Sequence, residues 1–133
     1  MINLLLPFGD YGLLVLRLMV AAIFAAHGWP KLKNLKTTQQ NFGMMGFKPG
    51  WLWGTVVALL ESAGSVLLII GLGTQLLAFL LAIQMLVATV WKIKTGNKFV
   101  SGYELDLLLV ACLLALATSG GGALSLDNSF RLF

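Results

Sequence analysis

Four apolar stretches alternate with polar connections along the chain, and their lengths set the fold class. The first runs from about Asp10 to Gly28 and is apolar except for Arg17 and His27. Trp29-Pro30 should end it, because proline cannot extend the helical hydrogen-bond ladder and disfavours a helical residue before it. A polar stretch from Lys31 to Gly50 follows, carrying Lys31, Lys33, Lys36 and Lys48. A short interfacial helix is expected within it around Thr37 to Met45, before the turn signals Gly46 and Pro49-Gly50. The second apolar stretch, about Trp51 to Gly71, is interrupted by Glu61 and the small-residue run Ser62-Ala63-Gly64-Ser65. Gly71-Leu72-Gly73-Thr74 is too short for anything but the turn of an antiparallel helical hairpin. The third stretch, about Thr74 to Trp91, holds Gln84. A basic loop from Lys92 to Gly102, with Lys92, Lys94 and Lys98, leads to the fourth, about Tyr103 to Thr118. That segment opens with Glu104 and Asp106 and stops at Ser119-Gly120-Gly121-Gly122; the tail beyond is irregular, with one interfacial turn. The pattern predicts an all-α, antiparallel bundle of four transmembrane helices forming a single membrane domain over residues 1–133.

Composition supplies the solvent. Of 133 residues, 59% are hydrophobic and 11% charged, with a mean hydropathy of +0.91. A soluble domain of this size needs more polar surface. At about 20 apolar residues per crossing, the chain has room for roughly four crossings and for no separate soluble catalytic domain. The N-terminus lacks a Lys/Arg-rich start and Arg17 interrupts the apolar run, so the first helix is expected to be retained rather than cleaved. The net charge of +4 does not point to nucleic acid, because the basic residues sit in loops between hydrophobic segments. Those loops hold seven lysines, whereas the opposite side has only Arg131 near its ends. The excess predicts that loops one and three are cytoplasmic and both termini outside. Trp29, Trp51, Trp53 and Trp91 all fall toward the lysine side, as an interfacial aromatic belt would.

Ionisable groups within membrane segments are costly, so each calls for a partner or a task. Counted from the expected boundaries, Arg17 lies about 15 Å below the lysine side, Glu61 about 14 Å and Gln84 about 10 Å. The three predict one polar layer, with an Arg17–Glu61 ion pair and Gln84 filling the remaining hydrogen-bond positions. Such a pair can lock two helices in register or do chemistry. A shallower set, His27, Lys31, Glu104 and Asp106, is expected near the lysine-side surface, where a histidine beside a carboxylate could relay protons or meet a quinone head group. Glu104 and Asp106 are about 200° apart on a helix, so at most one turns inward. Glu104 also suits a helix N-terminus, and His27 could simply cap the end of the first helix. Ala58, Glu61, Gly64, Ser65 and Leu68 share one stripe of the second helix, suited to close packing. One histidine makes no metal site, and the lone Cys112, in hydrocarbon, is a poor nucleophile. Phosphate-binding, dinucleotide-binding and Ser/His/Asp motifs are absent from the sequence.

The residues just described, in order, resemble the DoxX family across nearly the whole chain. The resemblance rests on Arg17, on His27-Gly28-Trp29-Pro30-Lys31-Leu32, and on Phe42-Gly43-Met44-Met45-Gly46-Phe47. It continues through Leu60-Glu61-Ser62-Ala63-Gly64, Gly71-Leu72-Gly73-Thr74, Gly102-Tyr103-Glu104-Leu105 and Gly120-Gly121-Gly122-Ala123-Leu124-Ser125-Leu126-Asp127. Gly121 stands where the family often has proline, which implies a looser turn. The resemblance implies a four-helix protein of the bacterial or archaeal cytoplasmic membrane. Relatives are associated with redox work, as a DoxD-like subunit of thiosulfate:quinone oxidoreductase and as an anchor joining superoxide dismutase to a sulfurtransferase. The expected role is therefore a membrane subunit of a respiratory or redox-associated complex, a scaffold that could also contact quinone. The alternatives are a stand-alone small subunit like that of the thiosulfate:quinone enzyme, or a small-molecule or proton pathway. No covalent cofactor and no independent catalysis are expected; quinone is the candidate ligand, and the partners are the bilayer and other protein subunits. Arg17, His27, Lys31, Glu61, Gln84 and Glu104 are the candidate ligand-contacting or proton-coupling residues.

Overall fold

The computed structural model describes residues 4–131. After a short 3-10 turn at Leu6–Phe8 come α1 (Gly9–Lys33), α2 (Leu35–Met44), α3 (Gly50–Ile70), α4 (Thr74–Lys94), α5 (Glu104–Ser119) and α6 (Leu126–Ser129). There is no strand among the described residues. Four segments, built on α1, α3, α4 and α5, are long and apolar enough to cross a membrane. Burial is arranged for lipid: α4 turns Leu76, Phe79, Ile83, Leu86 and Val90 outward and packs Ala78, Leu81, Ala82 and Met85 inward. An apolar exterior around an interior that holds Arg17, Glu61 and Asp106 suits a hydrocarbon surround.

The core is narrow and built on small side chains. On α3 the stripe Ala58, Glu61, Gly64, Ser65 and Leu68 is buried, as its spacing suggests, and Gly54 extends it. Phe24, Leu81, Leu113 and Leu116 fill the centre, with Val20 and Ala21 from α1. Such close helix contacts rest on van der Waals packing, since lipid removes the hydrophobic drive between helices.

One feature of α1 departs from the sequence pattern, and one of α2 adds to it. Helix α1 does not stop at Trp29-Pro30 but continues to Lys33, with the Asn34 N–H donating to the Pro30 carbonyl at 3.0 Å. Proline removes only its own donor, and neighbouring helices in a membrane bundle sustain the turn around it. The short helix expected in the first loop is α2, and it runs back along the first half of α3. A Cβ on Gly50 would lie 2.7 Å from the Gly43 nitrogen, and one on Gly54 2.8 Å from the Gln39 Cα, so both glycines are needed for this approach. Thr38 Oγ1 donates across the α1–α2 break to the Lys31 and Asn34 carbonyls, both at 3.1 Å, and Trp91 Nε1 ties the end of α2 by donating to the Met45 carbonyl at 3.1 Å.

With α2 occupying the first half of α3, α1 is left to pair with the second half. Gly28 then abuts Glu61, while Arg17 lies at Gly71, beyond the other end of α3. The α3–α4 turn uses the left-handed conformation at Gly71 (φ +76°) and Gly73 (φ +66°). Gly121 is not loosely held: it is buried, and a Cβ there would come within 2.8 Å of Ser125 Cβ and 2.9 Å of Thr74 Oγ1.

Candidate functional site

The polar groups form two separate constellations, not the single layer expected. Arg17 and Glu61 do not pair. Eleven helical steps along α1 separate Arg17 from Gly28, the residue that meets Glu61, which is about 16 Å of helix. Depth counted from an expected boundary at His27 misplaced Arg17 because α1 continues to Lys33 and its end is not level with the start of α3.

Arg17 is 1% exposed and is held by backbone. Nη1 donates to the Gly121 carbonyl at 2.6 Å, and Nη2 to Leu124 at 2.9 Å and Ile69 at 3.4 Å. Asp127 closes the same region: its carboxylate accepts from the Gly73 and Thr74 N–H groups at 2.7 and 2.9 Å, capping α4, and its own N–H donates to the Gly71 carbonyl at 2.9 Å. On the rim, Asp10 accepts from the Ala123 N–H at 3.0 Å. The arrangement clasps the C-terminal tail onto the α3–α4 turn, which makes Arg17 a structural anchor.

Glu61 lies near the middle of the 21-residue α3 and is buried. Its Oε2 receives Lys31 Nζ at 2.7 Å and its Oε1 receives Gln84 Nε2 at 2.5 Å. Lys31 belongs to the last turn of α1, and a helical side chain leans toward its own N-terminus, so the ammonium reaches back to the Glu61 level. Gln84 comes from the middle of α4. Three helices thus converge on one carboxylate. The partners differ in access: the Lys31 side chain is 31% exposed and that of Glu61 only 5%. The Gln84 Oε1 is buried and has no hydrogen-bond partner, leaving one open acceptor beside the ion pair.

The shallower cluster does not assemble. His27 is exposed and its Nδ1 is 2.7 Å from the Ile23 carbonyl of its own helix. Glu104 is also exposed, with Oε1 accepting from the Ser101 N–H at 3.1 Å, the helix-terminal role its position allowed. Asp106 is the residue that turns inward, where it pairs with Lys92 at 2.8 Å and joins α4 to α5. Sequence reasoning missed Asp127 as well, although a lone carboxylate two residues after the capping Ser125 was a local signal. Among the described residues, no group of three or more His, Cys, Asp or Glu side chains converges as a metal site would require.

The fold and its interior define a class: a multi-pass, four-helix membrane protein with a carboxylate bonded by side chains halfway along a spanning helix. The DoxX family model matches residues 12–93, which include Arg17, Lys31, Glu61 and Gln84, and the chain belongs to the DoxX family. It is 33% identical to a Bacillus subtilis (strain 168) protein named "Putative oxidoreductase CatD", over 89% of this chain and 86% of that one. It is 35% identical to an uncharacterized Haemophilus influenzae protein over 96% and 97% of the two chains. It is 31% identical to the Escherichia coli (strain K12) inner membrane protein YqjF over 90% and 92%. No solved structure matches the chain significantly.

Proposed function

We propose that this chain is an inner-membrane subunit of a redox-associated assembly, in which the Lys31–Glu61–Gln84 layer receives a quinone head group. The observation that carries the reading is the unfinished hydrogen bonding at Glu61. A buried carboxylate is bonded by two side chains rather than by backbone, one partner is a third exposed, and the other keeps an open acceptor. A quinone needs an apolar surround and one or two hydrogen-bonding groups. Lys31 Nζ can donate to a quinone carbonyl, and Gln84 Oε1 can accept from a quinol hydroxyl. The relative named as an oxidoreductase agrees with redox work.

A bound quinone would take up two electrons and two protons on reduction. The chain's part would be to hold and orient the head group with Lys31 and Gln84, while Glu61, released from Lys31, would take each proton from the aqueous side and pass it on to the reduced head group. With one cysteine and one histidine, the chain has no side-chain set for its own redox centre, so the electrons come from a partner subunit. The scaffold role belongs to the same reading: Lys36, Lys48, Lys94 and Lys98 are exposed at the lysine end, placed to dock a soluble acidic enzyme. Charge bias puts this end in the cytoplasm.

Purification of the full chain in mild detergent, with extraction of quinone and identification of co-purifying proteins, tests the proposal. Quinone retained in near-stoichiometric amount and lost on Glu61→Ala supports it. A stoichiometric enzyme partner without quinone leaves only the scaffold, and neither one refutes the redox reading altogether.

A further inference from the structure

A second constellation lies on the outer face of the bundle, away from Glu61. Between α1 and α3 runs a groove of about 340 Å³, walled by Ala25, Trp29 and Leu32 on one side and by Leu59, Ala63 and Val66 on the other. Its small residues keep it open, and its lining is almost wholly apolar. Two serines interrupt this: Ser65 Oγ is already committed, donating to the Ser62 carbonyl at 2.6 Å, whereas Ser62 Oγ is buried without a hydrogen-bond partner. At the lysine end the groove meets a cation. Lys33 Nζ sits 5.7 Å from the ring centroid of Trp29, and neither ion pair among the described residues, Lys31–Glu61 or Lys92–Asp106, engages Lys33. Gly28 presses so closely on α3 that a Cβ would fall 2.6 Å from Glu61 Cβ, which seals the groove from the ion-pair layer behind it.

We infer that this groove is a binding site for one anionic phospholipid. An acyl chain fills the slot between α1 and α3, the Ser62 hydroxyl donates to an ester carbonyl, and the phosphate lies against Lys33 at the edge of Trp29. The charge argument selects the occupant. A second copy of the chain would bring the same positive end to Lys33, whereas an anionic head group complements it, and a lysine near an anionic membrane surface contributes about 1 kcal/mol. The amphipathic indole suits the boundary between chain and head group. The site is independent of the quinone reading, because it uses no residue of the Glu61 layer.

Native mass spectrometry of the full chain with dioleoyl phosphatidylglycerol or dioleoyl phosphatidylcholine tests the site. At equal lipid concentration, phosphatidylglycerol should be retained about fivefold better, from the single lysine. Lys33→Gln should abolish that preference and Lys98→Gln should preserve it. Ala63→Trp, which fills the slot from an exposed position, should remove both lipids without lowering the melting temperature. Should that variant melt early, Ala25→Phe fills the slot from the other wall and should give the same loss. Equal retention of the two lipids, an unchanged preference in Lys33→Gln, or full retention with the slot filled overturns the inference. So does a lipid-free dimer that Ala63→Trp converts to monomer, which would make the occupant a second copy.

Discussion

The turn end of the bundle and its middle treat a buried charge in opposite ways. At the turn end, Arg17 is enclosed and bonded to three backbone carbonyls, whose positions are set by helix α3 and by the folded tail. At mid-helix, Glu61 is bonded to two long side chains, one reaching the surface and the other incompletely satisfied. Backbone partners cannot leave without unfolding a segment; side-chain partners can change rotamer. The first arrangement fixes a tertiary contact, and the second is the one proposed to exchange partners or protons. Intramembrane charge is therefore not one kind of signal, and its partners decide which kind it is.

The contrast makes graded predictions. The largest effect is expected for Arg17→Leu, which leaves three carbonyls without their donor; about 3 kcal/mol or more of stability should be lost. A thermal melt in detergent reads this, and a melting point equal to wild type would remove the clasp from the account. Asp127→Ala comes next, since it uncaps α4 and frees two N–H groups, with an expected loss of about 1–2 kcal/mol. Limited proteolysis should then cut the tail at Gly120–Ser125 faster than in wild type. Glu61→Gln should cost less, about 1 kcal/mol, because the amide keeps the size of the acid and Lys31 can turn to solvent. Its effect should fall on retained quinone instead, and a large loss of stability with quinone intact would reverse the roles assigned to the two regions. The smallest change is expected for Lys92→Met, where the lysine is a third exposed: at most about 1 kcal/mol, provided Asp106 is neutralised by the matching Asp106→Asn.

Much of this architecture was legible in the residue pattern. The four crossings, the turn at Gly71-Leu72-Gly73 and the small-residue seam around Glu61 all follow from periodicity, and each has its counterpart in the structure. Gln84 and Glu61 also meet, because both lie halfway along helices joined by a tight turn, so that residue counting gives their level. Arg17 was misread for two physical reasons. Its partners are backbone carbonyls of a tail without periodicity, and carbonyls leave no trace in side-chain patterns. Its depth was counted from a helix boundary expected at His27, just before Pro30, whereas α1 runs on to Lys33. Lys31 was placed in a surface loop for the same reason, whereas it belongs to the last turn of α1 and reaches Glu61. Between Glu104 and Asp106 the helical angle showed that one at most could enter the core; only packing against Lys92 on α4 selects Asp106.

The central claim is that Glu61 works while Arg17 holds. Its most direct test is equilibrium titration of a short-chain quinone into the full chain in nanodiscs, for wild type and Glu61→Gln, with the folded fraction of each sample matched by its melt. The account predicts binding about tenfold weaker for Glu61→Gln, about 1.4 kcal/mol, because the charge-assisted bond that holds Lys31 at the head-group level is lost. Equal affinity in the two proteins would contradict it and return Glu61 to the same structural role as Arg17.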